Sequence, residues 1–190
     1  MYWPQERWRR AATVGQPLTV LYGGPHTSGP SFLRATVQPG DLLYPIGVCD
    51  EVLYVFGRMR VEEIVPVGGD HGGLLEQYFA RYQGWRFLAP FCTSEVVIGT
   101  EGSRIHFDCP LPGEVLKRLT YRPRRGPRPV RHVSEDGRLL NSFSVQGIYR
   151  LAESSAADFD AILVGLPGKP VPRRGRRGIP LAPTGMDPLF

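Results

Sequence analysis

Short runs of β-forming residues, separated by turn dipeptides, dominate the first 110 positions of the chain. This pattern predicts strands over 16–22, 33–37, 41–48, 52–56, 58–65, 91–98 and 103–107. Pro45 indicates an edge or a bend, and Gly57 indicates a bulge of the kind that curls a sheet toward a barrel. Further strand material is predicted over 139–143 and 144–151.

Three segments have helical periodicity instead. Residues 74–82 place Leu74, Leu75, Tyr78 and Phe79 on one face, and residues 112–119 form a second short amphipathic helix behind a proline. A last helix is predicted over 156–164, where Ser155 and Asp158 fit a capping box. The first ten residues predict a short arm or a single helical turn. The fold class is therefore α+β.

Two stretches lack the pattern of a regular element. Residues 66–73 are dense in glycine, and residues 120–132 combine prolines with arginines, so both are predicted to be loops. After residue 166 the chain is rich in proline, glycine and arginine, a composition that predicts a disordered or extended tail. We expect a single domain over 1–166, with a basic loop at about 117–133, and a tail over 167–190.

Positive charge is segregated along the chain. The net charge is +5, yet residues 117–131 carry seven basic side chains and no acidic one. Residues 169–190 carry five basic side chains against Asp187 alone. Outside these two segments acidic residues outnumber basic ones. This distribution favours a polyanionic partner that docks on a cationic face.

The cysteines and histidines give little support to metal or redox chemistry. The three cysteines, Cys49, Cys92 and Cys109, include no C-x-x-C pair, which predicts reduced thiols and a cytoplasmic protein. The four histidines are not spaced like zinc ligands. No apolar run approaches the roughly 20 residues that span a bilayer. We therefore expect no metal, no cofactor and no membrane association.

Two segments resemble a known superfamily. The stretch 37–65, VQPGDLLYPIGVCDEVLYVFGRMRVEEIV, combines a Pro-Gly-Asp turn, an apolar strand, a polar hairpin and a strand with basic flanks. The stretch 145–163, VQGIYRLAESSAADFDAIL, runs from a strand into a final helix. Both are similar to PUA-like domains, which include the EVE, YTH and ASCH types. The resemblance implies a small mixed-strand pseudo-barrel flanked by short helices, and binding of RNA or of a modified base in an aromatic pocket.

The candidate binding residues fall into three groups. Phosphate contacts are predicted for the arginines of the basic loop, because a guanidinium group can hold two phosphate oxygens at once: Arg118, Arg122, Arg124, Arg125, Arg128 and Arg131. Aromatic residues near loops or basic residues are candidates for a base pocket: Trp3, Trp8, Tyr22 and Trp85. Tail contacts are predicted for Arg173, Arg174, Arg176 and Arg177.

The leading hypothesis is a nucleic-acid-binding module for RNA or DNA that recognises a modified or unpaired base, with no catalytic residue assigned. One alternative is a nuclease or nucleobase hydrolase that uses Asp70 or His71 in the glycine-rich loop. Another is a protein–protein adaptor whose basic tail folds on an acidic partner. The residues alone leave all three open.

Overall fold

A computed structural model describes residues 1–25, 30–68, 72–122 and 126–165. Within these ranges the α-helices are α1 (Gln5–Ala11), α2 (Gly72–Arg81), α3 (Gly113–Arg118) and α4 (Glu153–Val164). The strands are β1 (Val20–Gly23), β2 (Leu42–Leu43), β3 (Ile46–Cys49), β4 (Val52–Val55), β5 (Met59–Pro66), β6 (Glu95–Thr100), β7 (Thr120–Tyr121) and β8 (Arg128–Pro129). Short 3₁₀ helices cover Gln83–Leu88 and Ser142–Ser144.

The largest sheet is antiparallel, with the strand order β1-β6-β5-β2. The register of β5 against β6 shifts between Val61 and Glu63, which marks a bulge in β5. Because a bulge increases local twist, the sheet curls into half of a barrel. Short helices pack around it. The mixed helix and strand class predicted from the sequence is confirmed.

A ribbon formed by β3 and β4 stands between two hydrophobic clusters. Phe56 and the half-buried Tyr54 pack into the first cluster, with the large sheet, α1 and α2. Leu53 and Val55 belong to the second cluster, with α3 and α4. Successive side chains of a strand point to opposite faces, so the ribbon supplies one wall to each cluster.

Segments without a long strand of their own extend this ribbon. The Trp3 amide donates to the Ile46 carbonyl at 2.7 Å, which pairs the N-terminal segment with β3. On the other side, the Leu111 amide donates to the Leu53 carbonyl at 2.7 Å, next to β4. These contacts satisfy backbone groups that a two-stranded ribbon would leave open.

Several elements agree with the sequence prediction. The structure confirms α2, α3, α4, β4 and β5 to within a few residues. The break predicted at Pro45 separates β2 from β3. The N-terminal arm is longer than expected, because α1 makes almost two turns.

Other predicted elements are wrong. Residues 32–36 form turns rather than a strand. The strands predicted over 103–107, 139–143 and 144–151 are absent too, because these residues are irregular apart from the Ser142–Ser144 turn and isolated bridges at Leu139 and Leu151. The loop over 120–132 contains the hairpin strands β7 and β8. The bulge lies after Val61 and not at Gly57. The predicted capping box is also wrong, since Ser155 lies inside α4 and its Oγ accepts a hydrogen bond from the Thr120 amide at 2.9 Å.

Candidate nucleic-acid interface

The β7–β8 ribbon is built into the body of the protein along one edge. The Arg122 amide donates to the Arg150 carbonyl at 2.8 Å, and the Ala152 amide donates to the Thr120 carbonyl at 2.9 Å. Residues 150–152 therefore lie beside β7, opposite β8. This pairing brings the basic loop next to a segment that is distant in sequence.

Two stacked tyrosines occupy the junction. The rings of Tyr121 and Tyr149, the tyrosine pair, have centroids 4.7 Å apart and an interplanar angle of 26°. Tyr121 is buried, its hydroxyl donates to the Ser144 carbonyl at 3.3 Å, and burial raises its pKa. Tyr149 keeps 37% of its surface exposed. One ring of the pair is thus fixed while the other faces solvent.

A groove of about 240 Å³, the small groove, opens beside this pair. Its walls come from β7, from β8 and the residues that follow it, and from the 141–149 segment. The lining residues are Tyr121, Arg128, Pro129, Arg131, His132, Asn141, Phe143, Ser144 and Tyr149. Phe143 is 74% exposed and lies in the 3₁₀ turn over Ser142–Ser144. Asn141 caps this turn, because the Phe143 amide donates to Asn141 Oδ1 at 2.8 Å. In the described part of the chain no carboxylate lines this groove.

The predicted phosphate contacts divide into paired and unpaired arginines. Arg118 makes two hydrogen bonds to Asp158 of α4, at 3.0 Å and 2.6 Å, and these bonds hold the pKa of Asp158 below its usual range. Arg122 lies 3.8 Å from a carboxylate oxygen of Glu153. Among the described residues Arg128 and Arg131 have no ion pair, and both are exposed. The small groove is therefore lined by two exposed arginines without an ion pair in the described ranges.

The aromatic residues predicted to form a base pocket are largely buried, so they expose little ring surface to a base. Trp3, Tyr22 and Trp85 are each at most 2% exposed and belong to the first cluster. Trp8 is half-buried and packs against Phe56 and Phe107, with ring centroids 5.6 Å and 5.7 Å away. These side chains shape the core, because their large apolar area is better buried than exposed.

Phe143 and Tyr149 are the aromatic residues that sequence reasoning missed. Both lie in segments predicted to be strands, where an aromatic side chain is normally half-buried. The only sequence signal that could have selected them is their position within twenty residues of the arginine-rich loop.

Some predicted residues lie outside the described ranges. They are Arg124 and Arg125 of the basic loop, Asp70 and His71 of the glycine-rich loop, and Arg173, Arg174, Arg176 and Arg177 of the tail. In the ranges that the structure covers, no group of three or more His, Cys, Asp or Glu side chains could hold a metal ion. The helices of those same ranges include none that is long and apolar enough to cross a membrane.

Comparison with protein-family models, with curated proteins and with solved structures gives no match. The resemblance to PUA-like domains therefore stays a prediction.

Proposed function

We propose that the chain binds single-stranded nucleic acid along the small groove. The observation that carries the proposal is the placement of exposed aromatic rings, Phe143 and Tyr149, beside the unpaired guanidinium groups of Arg128 and Arg131. Other proteins bind single strands with this combination, in which bases stack on aromatic rings and basic side chains follow the phosphates.

The base-stacking part of the proposal rests on Tyr149 and Phe143. Tyr149 is backed by Tyr121, whose hydrogen bond to Ser144 restrains it, so a base stacked on Tyr149 would extend an existing column of rings. Such contacts are worth about 1–3 kcal/mol per base. An unpaired base, including a modified one, offers the flat face that this surface needs.

The phosphate part rests on Arg128 and Arg131. Because no acidic side chain of the described ranges lines the groove, these groups are available to phosphate oxygens without first breaking an ion pair. Arg118 contributes less in this arrangement, because a phosphate would have to compete with Asp158.

The proposal is tested by the fluorescence anisotropy of labelled single-stranded RNA and DNA oligonucleotides at 50 and 300 mM salt. We expect Tyr149→Ala and Phe143→Ala each to weaken binding by about 5- to 150-fold. The double variant Arg128→Ala/Arg131→Ala should reduce the slope of log K against log salt by about 1.4, since each lost phosphate contact removes about 0.7 for a single strand.

Matched controls lie elsewhere on the surface. Phe91→Ala removes a phenylalanine that is fully exposed, and Arg81→Ala removes an exposed arginine on α2. Both should bind like the unmodified protein. Equal losses in Phe91→Ala and Phe143→Ala, or an unchanged salt slope in the arginine variant, would contradict the proposal.

A further inference from the structure

A second and larger opening lies on the other side of the tyrosine pair. This large cavity, of about 360 Å³, is bounded by residues 35–46, by residues 145–151 and by the first two turns of α4. Most of its wall is apolar, including Val37, Leu43, Ile46, Val145 and Phe159. Its volume is within the range of about 300–1,000 Å³ that is typical of small-molecule sites.

The mouth of the large cavity is cationic. Arg60, Arg122 and Arg150 line it together with two carboxylates, Asp41 and Glu153. Arg60 is already engaged, because it donates to the Gly40 carbonyl at 3.0 Å and to Glu101 at 3.0 Å. Two guanidinium groups remain for a ligand.

Within the described ranges, the contacts that hold the side chains of Arg122 and Arg150 are long ones. The Arg122–Glu153 distance is 3.8 Å, and Glu153 is 96% exposed. Arg150 reaches the Thr36 carbonyl and Asp41 at 3.4 Å each, while Asp41 also accepts the Gln38 amide at 3.0 Å. Since the Arg122 amide donates to the Arg150 carbonyl, the two side chains start from neighbouring positions at one rim. A carboxylate there would gain shorter, charge-assisted hydrogen bonds.

These features together select the chemistry of an occupant. An apolar chamber favours a hydrocarbon or aryl body, and two guanidinium groups whose ion pairs are as long as 3.8 Å and 3.4 Å favour one negative charge at the end of that body. A nucleotide would place several charges and polar edges against Val37, Val145 and Phe159, whose side chains offer no hydrogen-bond partner.

We propose that the large cavity binds a small amphipathic carboxylate, with the apolar body among the cavity walls and the carboxylate on Arg122 and Arg150. This site is separate from the small groove and does not depend on nucleic-acid binding. The tyrosine pair is the partition between the two.

Isothermal titration calorimetry with octanoate and 1-octanol tests the site, with no nucleic acid present. The two probes share the apolar body and differ in the charge. Octanoate should bind at least tenfold more tightly than octanol, because a hydrogen bond to a charged group contributes about 1.5–3 kcal/mol. Arg122→Ala and Arg150→Ala should each bring octanoate toward the affinity of octanol and leave octanol unchanged.

A pair of variants on α4 locates the binding site. Ala156 lines the large cavity, whereas its neighbour Ala157 is exposed and does not line it. Ala156→Leu should fill the cavity and abolish binding of both probes, and Ala157→Leu should leave binding unchanged. Far-ultraviolet circular dichroism checks that both variants are folded.

Three outcomes would overturn the proposal. They are an absence of octanoate binding to the unmodified protein, equal binding to Ala156→Leu and Ala157→Leu, and arginine variants that retain the preference for octanoate over octanol. None of them bears on single-strand binding at the small groove, which the anisotropy experiment measures separately.

Discussion

At the residue scale, one buried carboxylate determines a stretch of backbone that the sequence pattern assigns to the wrong element. Glu95 is 1% exposed and accepts hydrogen bonds from the Phe32 and Leu33 amides and from Ser31 Oγ. These bonds replace the ones that a strand over 33–37 would make. The turn that results forms part of the wall of the large cavity, through Ala35 and Val37.

Replacing this carboxylate should therefore be costly. Glu95→Gln turns one acceptor oxygen into a donor that faces backbone amides, so we expect a loss of roughly 3 kcal/mol in the free energy of unfolding. Urea denaturation measures it. Glu62→Gln, at an exposed position of β5, is the control and should change stability little. Similar losses in both variants would show that the amides of Phe32 and Leu33 do not depend on Glu95.

Tyr22 predicts a dependence of stability on alkaline pH. Burial raises the pKa of its hydroxyl to about 12, and no hydrogen-bond partner for that hydroxyl lies in the described ranges. The folded state therefore holds this proton more tightly than the unfolded state, whose tyrosine has a pKa near 10. Its stabilising contribution is complete below pH 10 and is lost as the pH rises toward 12.

Tyr22→Phe removes the ionisable hydroxyl, and with it the loss of stability that its ionisation causes at alkaline pH. The free energy of unfolding of the variant should fall less steeply between pH 10 and 12 than that of the unmodified protein, as followed by urea denaturation at successive pH values. The other buried tyrosines are present in both proteins and cancel in the comparison. Parallel curves would contradict the assignment.

The same scale shows why the site was only half predictable. Arg128 and Arg131 were predicted because clustered arginines are visible in a sequence. The burial of Trp3 and Trp85 and the exposure of Phe143 could not be predicted, because the exposure of an aromatic ring depends on packing partners far away in the chain. A sequence contains the ring but not its burial.

At the scale of elements, those that depend on signals within a few residues were predictable, and those that depend on distant packing partners were not. The stripe of apolar residues in α2 and the proline before α3 are signals within a few residues. The strands predicted over 103–107 and 144–151 are wrong for a different reason: Ile105 and Val145 are apolar because they pack in the clusters, although neither lies in a strand.

Helix α4 bears on the proposed interface through a carboxylate. Asp158 accepts two hydrogen bonds from Arg118, so a phosphate bound as we propose would have to compete with the helix for this arginine. Asp158→Asn should strengthen single-strand binding by about 1.5- to 5-fold, the equivalent of releasing an exposed ion pair of about 0.2–1 kcal/mol. Anisotropy at 50 mM salt measures the change.

Glu76→Gln is a suitable control, because Glu76 pairs with Arg86 on α2, at 3.9 Å, away from the small groove. It removes the same unit of negative charge from the molecule. If both variants bind more tightly to the same extent, the effect belongs to the net charge and not to Arg118.

At the scale of the whole molecule, the two hydrophobic clusters share the β3–β4 ribbon as a wall. Neither cluster can lose its packing without exposing one face of this ribbon. We therefore expect the described body of the protein to unfold in a single cooperative transition.

Two probes report on the first cluster and on the ribbon. Trp3, Trp8 and Trp85 all pack in the first cluster, so tryptophan fluorescence follows it. Cys109 lies next to β4, and burial raises its pKa to about 12, so its thiol stays unreactive until this region opens. In a Cys49→Ser/Cys92→Ser background, the urea midpoints for fluorescence and for Cys109 labelling should coincide. Distinct midpoints would show that the ribbon opens independently of the first cluster.

The bulge in β5 has a consequence for how copies of the protein meet one another. Beyond Val61 no strand of the described ranges pairs with the outer side of β5, and Glu62 and Glu63 stand exposed there. A kinked backbone with adjacent negative charges is a poor template for a strand from a neighbouring molecule. The bulge that bends the sheet therefore also disfavours the addition of a strand from another molecule at the unpaired edge of β5.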